Sequence, residues 1–223
     1  MLTLRTAFTS ALTVTVLIAG CSHSTKSSGS KAETNTLGEQ KPPDINTLPA
    51  PRHSGLISDY SRLKPSAEFP GTLVWNSGKL GQYKRFIVDP VMVVPSESTR
   101  GVPITEAEKQ RLAADFRYEL VDILQATYPV ITVPAPKTAR VKTAITEVAR
   151  TAGPHSTWFR WEGGASAEME IVDSITNEPL ASAVDSTLVK TSEPGKVTDP
   201  YSDTKLVFRH WAARLGHWLI AAR

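Results

Sequence analysis

The stretch Ala165-Ser166-Ala167-Glu168-Met169-Glu170-Ile171-Val172-Asp173 alternates between apolar and polar residues as far as Ile171. Successive side chains of a strand point to opposite faces of its sheet, so the pattern predicts a strand with one buried and one polar face. Residues 173–179 are typical of a turn, in which Asn177 is expected to take a positive φ. Residues 180–189 return as the partner strand. The sequence therefore predicts a long antiparallel hairpin.

Further strands are predicted upstream of this hairpin, on either side of a predicted helix. Residues 83–88 and 91–94 are rich in β-branched and aromatic side chains. Pro90 between them has no N–H to donate to a ladder, so it marks a bulge, an edge or a break. Residues 130–133 and 140–148 also have the composition of strands.

Two amphipathic helices are predicted. Thr105 and Glu108 have the spacing of a capping box, and apolar residues at helical spacing follow them. This helix must end near Tyr128, because Pro129 drives the preceding residue out of the helical region. A second helix is predicted from about residue 203 to 222, with its apolar residues in one stripe. Its predicted core positions are Trp211, Leu215 and Trp218. The expected fold is α+β, a two-layer sandwich of a mixed or antiparallel sheet with both helices packed on one face.

The N-terminus predicts a lipoprotein signal peptide over residues 1–20. One basic residue, Arg5, precedes about 14 apolar residues, fewer than the ~20 needed to span a bilayer. The segment Leu17-Ile18-Ala19-Gly20-Cys21 resembles the lipobox of bacterial lipoproteins, in which the cysteine receives diacylglycerol and the chain is cut just before it. Cys21 is the only cysteine, so no disulfide can form within one chain. Cys21 is therefore the predicted lipidation site.

The sequence after Cys21 predicts a tether and a single domain. Ser22 follows the cysteine where aspartate is the usual inner-membrane retention signal, which favours the outer membrane. Residues 21–51 are polar and contain no aromatic, so we expect a disordered tether. Residues 52–223 fit one domain. Cleavage removes only Arg5 among charged residues, which lowers the formal net charge from +3 to +2 and does not indicate a nucleic-acid partner.

Several segments resemble one known family in their order along the chain. They are 54–63, 86–91, 163–173, 180–185 and 208–212. Together they look like the uncharacterised proteobacterial lipoproteins grouped as domain of unknown function 3313. The resemblance implies a signal peptide, a lipid anchor and a small α/β domain, and it brings no known activity. Asn177 departs from the glycine that relatives tend to carry there.

The motifs of several familiar chemistries are absent from the sequence. It has no Gly-x-Ser-x-Gly elbow, no His-Glu-x-x-His, no Cys-x-x-Cys and no phosphate-binding loop. No cofactor and no metal site are predicted. Glu168, Glu170 and Asp185 are the catalytic candidates, because paired carboxylates can do acid–base chemistry or bind a divalent cation. The alternative interpretation of the two glutamates is a solvated strand face.

Three further groups of residues have both a functional and a structural interpretation. Trp158-Phe159-Arg160-Trp161 is a candidate binding segment, because aromatics and arginine are enriched in contact hot spots. The alternative is a loop that folds onto the edge of the core. His210 and His217 are two helical turns apart, roughly 10 Å, which favours surface residues over one metal site. Residues 59–64 are a partner motif or a segment that docks on the domain, and docking is favoured.

These features predict a non-catalytic binding or structural module of the cell envelope. Its expected partners are the membrane, through the lipid anchor, and another envelope protein or peptidoglycan. The alternative is an envelope hydrolase that acts on a glycan or peptide through Glu168, Glu170 and Asp185. A third possibility is a small-ligand pocket between helix and sheet.

Overall fold

The computed structural model describes residues 52–99, 101–151, 162–190 and 199–221. The predicted signal peptide, Cys21, the tether and residues 158–161 lie outside them. The helices and strands are, in chain order, β1 Lys64–Pro65, β2 Leu73–Asn76, β3 Arg85–Val88, β4 Met92–Val93, α1 Glu106–Gln125, β5 Thr138–Ala149, β6 Glu162–Asp173, β7 Pro179–Lys190 and α2 Ser202–Ala221. Neither helix is long and apolar enough to cross a membrane within these ranges.

The strands form one sheet in the order β1-β2-β7-β6-β5-β3. The predicted hairpin is confirmed as β6 and β7, paired antiparallel over their whole length. Asn177 in its turn has a φ of 60°, and the Asn177 N–H donates to the carbonyl of Asp173 at 3.0 Å. Since β6 has β5 on one side and β7 on the other, it lies in the interior of the sheet.

The interruption at Pro90 is confirmed as a break between two strands. Both β3 and β4 pair with β5 and run parallel to it, β3 near its start and β4 farther along. All other strand pairs are antiparallel, so the sheet is mixed.

Both helices pack on one face of the sheet, which confirms the α+β two-layer arrangement. At the start of α1, the Glu108 N–H donates to the Thr105 hydroxyl and the Thr105 N–H donates to the Glu108 carboxylate, so the capping box is also confirmed. The helices meet through Phe116 of α1 and Phe208 of α2, whose rings stack with centroids 4.6 Å apart. These rings and the apolar side of β5, β6 and β7 form the core.

Two predictions differ from the structure, and two strands have no counterpart among the predictions. Residues 130–133 do not form a strand, because only Val130 makes a bridge, to Phe86, before the chain turns toward Pro134. The strands β1 and β2 were not predicted, since each is too short to show alternation. On α2, Trp211 and Leu215 are core as predicted, but Trp218 is only partly buried.

Candidate functional site

The face of the sheet opposite the helices carries Glu168 and Glu170. Ala167 and Ile171 belong to the core under the helices, so the two glutamates between them on β6 point to the other face. This outer face is crossed by residues 53–63, here called the N-terminal strap. The strap contains a 3-10 turn at Tyr60–Arg62. It follows directly on the segment predicted to be the tether.

Glu168 is fully buried under the strap. Its carboxylate accepts from the Ser54 N–H at 3.1 and 3.2 Å, from the Ser54 hydroxyl, and from the Tyr60 hydroxyl at 2.8 Å. A buried charge is very costly unless it is paired or hydrogen-bonded. These donors, all from the strap, therefore satisfy the oxygens of the buried side chain. Burial, together with the bond to Glu168, raises the pKa of Tyr60.

Glu170 is held in the same way by Ser58. The Ser58 N–H and hydroxyl donate to Glu170 Oε1 at 2.8 and 2.6 Å, and Glu170 is 3% exposed. The interpretation of Glu168 and Glu170 as a solvated strand face is thus wrong, because the strap covers both. The docking interpretation of the segment around Tyr60 is confirmed by the same bonds. Ile57 is buried beside them.

A third glutamate, Glu147 on β5, lies close to this cluster. A bulge between Ile145 and Glu147 shifts the register of β5 against β6, and the Ser166 hydroxyl donates to Glu147 Oε2 at 3.1 Å. Burial raises the pKa of Glu147, while the bond from Ser166 and the charge of Arg52 oppose that shift. No motif in the sequence marks Glu147 as a candidate site residue.

Asp185 lies on the helix face instead. It is paired across the strands with Ala167, whose side chain points to the core. Arg214 of α2 donates to Asp185 Oδ2 at 2.6 Å, and Thr72 donates to the same oxygen. Thr187 donates to Oδ1 at 2.7 Å. Both carboxylate oxygens are therefore engaged in a buried ion pair with hydrogen-bond support.

The three predicted catalytic carboxylates are not brought together. Glu168 and Glu170 face the strap, whereas Asp185 faces α2 on the other side of the same sheet. A pair of catalytic carboxylates must flank one substrate. The sheet separates Asp185 from both glutamates, and the strap covers Glu168 and Glu170. Within the described ranges, no group of three or more His, Cys, Asp or Glu side chains is placed to hold a metal ion.

A pocket opens on the helix face beside the Asp185–Arg214 pair. Its floor is formed by cross-strand neighbours, with Thr143, Met169, Ala183 and Val74 in one row. Ala167, next to Asp185, continues the floor. Because two of these floor positions carry only a methyl group, the helix above leaves space over the sheet.

The roof and sides of the pocket are mostly aromatic. Trp211 and Trp218 of α2 and Phe116 of α1 lie above the floor, and Phe69 from the loop before β2 closes one side. The Arg214 guanidinium lies over the Phe69 ring, 4.9 Å from its centroid. The pocket has about 670 Å³ of empty space when its open mouth is included. Ligand pockets of proteins are likewise mainly apolar.

Two residues of this lining carry polar atoms that no described protein group satisfies. They are the Thr143 hydroxyl and the Trp211 indole N–H, on residues that are 2% and 6% exposed. More than nine in ten buried polar groups in proteins have a hydrogen-bond partner. Thr138 and Thr146, which lie outside this lining, also carry an unpaired hydroxyl, so the unpaired atoms do not distinguish the pocket from the rest of the core.

The sequence predicts a pocket between helix and sheet only as one possibility and does not identify the residues that line it. Alanine at 167 and 183 is visible there, but their position under α2 depends on the register of β5, β6 and β7. Of the other candidates, His210 and His217 are exposed, as predicted, and His217 contacts Glu68 at 3.1 Å. Cys21 and the segment Trp158–Trp161 lie outside the described residues, and their roles stay predictions.

Comparison with solved structures finds partial similarity to several bacterial proteins. One is the PelC dodecamer from Paraburkholderia phytofirmans, with 12% identity, 68% of this chain and 94% of that chain covered, and a TM-score of 0.43. Another is lipoprotein GNA1162 from Neisseria meningitidis, with 13% identity, 61% and 98% covered, and a TM-score of 0.35. These values carry no conclusion about function. No curated protein matches the chain.

Comparison with models of protein families shows which family the chain belongs to. A family model described as "Protein of unknown function (DUF3313)" matches residues 52–215. The match begins at the N-terminal strap and extends into α2, so it contains the carboxylates of the outer face and most of the pocket. It agrees with the resemblance seen in the sequence. The chain therefore belongs to the DUF3313 family.

Proposed function

We propose that this protein is a lipid-anchored lipoprotein of the outer membrane whose domain faces the periplasm. The domain acts as a non-catalytic binding module, and the pocket under α2 is its ligand site. The observation that carries the binding role is the open apolar pocket between α2 and the sheet. The lipobox around Cys21 carries the anchoring.

The lining favours a small apolar or amphipathic ligand over peptidoglycan. Glycans are bound mainly through hydrogen bonds to their many hydroxyl groups, and this lining offers few polar groups. The envelope hydrolase of the sequence analysis has no geometric support, because Asp185 and the glutamates of β6 lie on opposite faces. Another envelope protein is still compatible with the surface outside the pocket.

Binding is tested with the neutral apolar probe N-phenyl-1-naphthylamine and the lipidated chain in nanodiscs. Native mass spectrometry then measures the probe bound per protein molecule. Ala183→Phe fills the floor and is expected to abolish saturable binding. Ala114→Phe, at an exposed position of α1, is the matched control and is expected to bind like wild type. Equal binding by wild type and Ala183→Phe would remove the pocket from the proposal.

Anchoring is tested by Cys21→Ser. The variant is expected to leave the membrane fraction or to stay uncleaved, because it cannot receive diacylglycerol. Processing of the wild-type chain is expected to be sensitive to globomycin. A Cys21→Ser protein that fractionates and matures like wild type would show that the chain is not a lipoprotein.

A further inference from the structure

We propose that the N-terminal strap is a releasable element, which undocks from β6 as a unit while the sheet and both helices stay folded. Undocking frees the chain from residue 54 as far as β1 and uncovers Glu168 and Glu170. Three features of the strap carry this inference: where its hydrogen bonds end, how little apolar surface it buries, and what its departure does to the two glutamates. None of them involves the ligand site under α2.

The hydrogen bonds that hold the strap on the sheet all end on two side chains. Those from Ser54 and Tyr60 end on Glu168, and those from Ser58 end on Glu170. In the part of the chain that the structure describes, no backbone–backbone hydrogen bond joins residues 53–62 to a strand. The strap is therefore not a member of the sheet, and its departure leaves every pairing between strands intact.

Little apolar surface holds the strap in place. Ile57 is the one residue of the strap that is buried, and it does not belong to the core under the helices. Arg62 lies over the Trp75 ring of β2 at 5.0 Å, but the Arg62 side chain is half exposed. Segments with few buried apolar contacts open at a lower free energy than the whole domain. The strap has this property, whereas β6 lies between two long strands.

Glu168 and Glu170 exchange one set of hydrogen-bond donors for another when the strap leaves. Neither forms an ion pair with a described residue, so undocking separates no pair of opposite charges. Water replaces the donors of the strap on their oxygens. The alternation of β6 is that of an antiparallel strand with one face toward solvent. The strand therefore does not depend on the strap for its pairing.

Undocking changes how far the domain reaches from the membrane. Residues 54–63 then extend the segment that precedes them, and at ~3.5 Å per residue they lengthen the link between Cys21 and β1 by up to about 35 Å. This consequence rests on the lipid anchor of the proposed function, whereas the undocking does not. The docked strap keeps the domain near its anchor, and the undocked strap lets the same domain contact a more distant partner.

Hydrogen exchange of the lipidated full chain in nanodiscs tests the undocking. Mass spectrometry with electron-transfer fragmentation follows the amides of Ser54 and Ser58, which donate to the glutamates in the docked state. They are expected to exchange at least ~100-fold faster than the amides of β6, because the strap opens without global unfolding. Low urea concentrations should accelerate the amides of β6 more than those of the strap, because global opening exposes more surface.

Two results of this measurement would overturn the proposal. Equal exchange rates with equal urea dependence in the strap and in β6 would show that the strap opens only when the whole domain unfolds. Exchange of Ser54 and Ser58 in wild type at the rate of an unstructured chain would show that the strap is not docked. The same rates are expected for Cys21→Ser, which lacks the lipid, so failure of the anchor proposal leaves the undocking unaffected.

A release variant, Ser54→Ala/Ser58→Ala/Tyr60→Phe, removes the hydroxyl groups that donate to the two glutamates. Its strap amides are expected to exchange within about 3-fold of the rate of an unstructured chain, while the amides of β6 stay protected. Ser61→Ala is the matched control, because the Ser61 hydroxyl donates at 2.6 Å to Asp59 within the strap. It should exchange like wild type. Loss of protection in β6 together with the strap of the release variant would show that the strap is an integral part of the fold.

Discussion

Tyr60 and Glu168 are 108 residues apart in the chain, and the tyrosine hydroxyl donates to Oε2 of the glutamate at 2.8 Å. With the bonds from Ser54, this contact fixes the N-terminal strap on the outer face of the sheet. The carboxylate is fully buried. The domain therefore contains a charged group whose solvation comes from a segment at its N-terminal end.

Tyr60→Phe is expected to lower the free energy of unfolding by about 1.5–3 kcal/mol, because it removes one hydrogen bond to a buried charged group. Chemical denaturation monitored by tryptophan fluorescence measures the change. Tyr118→Phe is the control, because Tyr118 is 67% exposed on α1, and surface changes are usually within about 0.5 kcal/mol. Equal stability of the two variants would show that the Tyr60 bond does not hold the strap.

Thr143→Val is expected to raise the free energy of unfolding of the ligand-free protein by about 1 kcal/mol, because it removes an unsatisfied buried hydroxyl without a change in shape. Thr138→Val should have a similar effect on stability. Denaturant midpoints for the two variants provide the measurement. A clear loss of stability in Thr143→Val would mean that its hydroxyl has a partner within the protein.

Arg214→Met is expected to destabilise the domain by about 2–4 kcal/mol. It leaves the Asp185 carboxylate, whose side chain is 12% exposed, without its cation, and breaking a fully buried pair costs about 3–5 kcal/mol. Arg209→Met on the same helix is the matched control, because Arg209 is 69% exposed and 3.4 Å from Glu119. Such surface pairs contribute about 0–1 kcal/mol. Similar melting temperatures for both variants would contradict the expectation.

Glu147→Gln is expected to stabilise the domain at pH 7. Burial raises the pKa of Glu147 above its ordinary value of 4.5, so the folded protein holds this proton more tightly than the unfolded chain does. The ionised group therefore lowers stability above its folded pKa, and the effect disappears as the pH falls toward 4.5. Denaturation of wild type and variant at a series of pH values should show a difference that shrinks on acidification.

Glu108→Gln serves as a control of opposite sign. Hydrogen bonds from Thr105 lower the pKa of Glu108, so its contribution is present above pH 4.5 and is lost as the pH falls through its folded pKa. This variant should be less stable than wild type at pH 7. If both glutamine variants shift stability in the same direction, the pH argument for Glu147 is wrong.

The parts of the fold that the sequence predicted are those with local signals. The hairpin follows from alternation around Met169, and the start of α1 follows from the pairing of Thr105 with Glu108. Each signal lies within a few residues, so it can be read without knowledge of the tertiary structure. The predicted strand at 130–133 failed because composition alone does not supply a neighbouring strand. Val130 finds one bridge to Phe86 and no more.

The candidate sites could not be predicted from the sequence in the same way, because they depend on contacts between segments that are distant in the chain. Alternation correctly predicts that Glu168 and Glu170 lie on the face away from the core, but it does not show whether water or another segment of the chain covers that face. The donors that bury them, from Ser54 to Tyr60, lie more than 100 residues earlier. Asp185 lies on the same hairpin as these glutamates, which suggests a shared site. Only the register with Ala167 shows that it faces the helices.

The attachment of the strap to β6 has a mechanical consequence. A pull on the chain from its N-terminal end reaches Ser54 and its bonds to Glu168 before it reaches β1 at the edge of the sheet. Tension is therefore transmitted first to an interior strand, which is bonded to β5 on one side and β7 on the other. Several hydrogen bonds must be sheared together at that point before β1 can be peeled from β2.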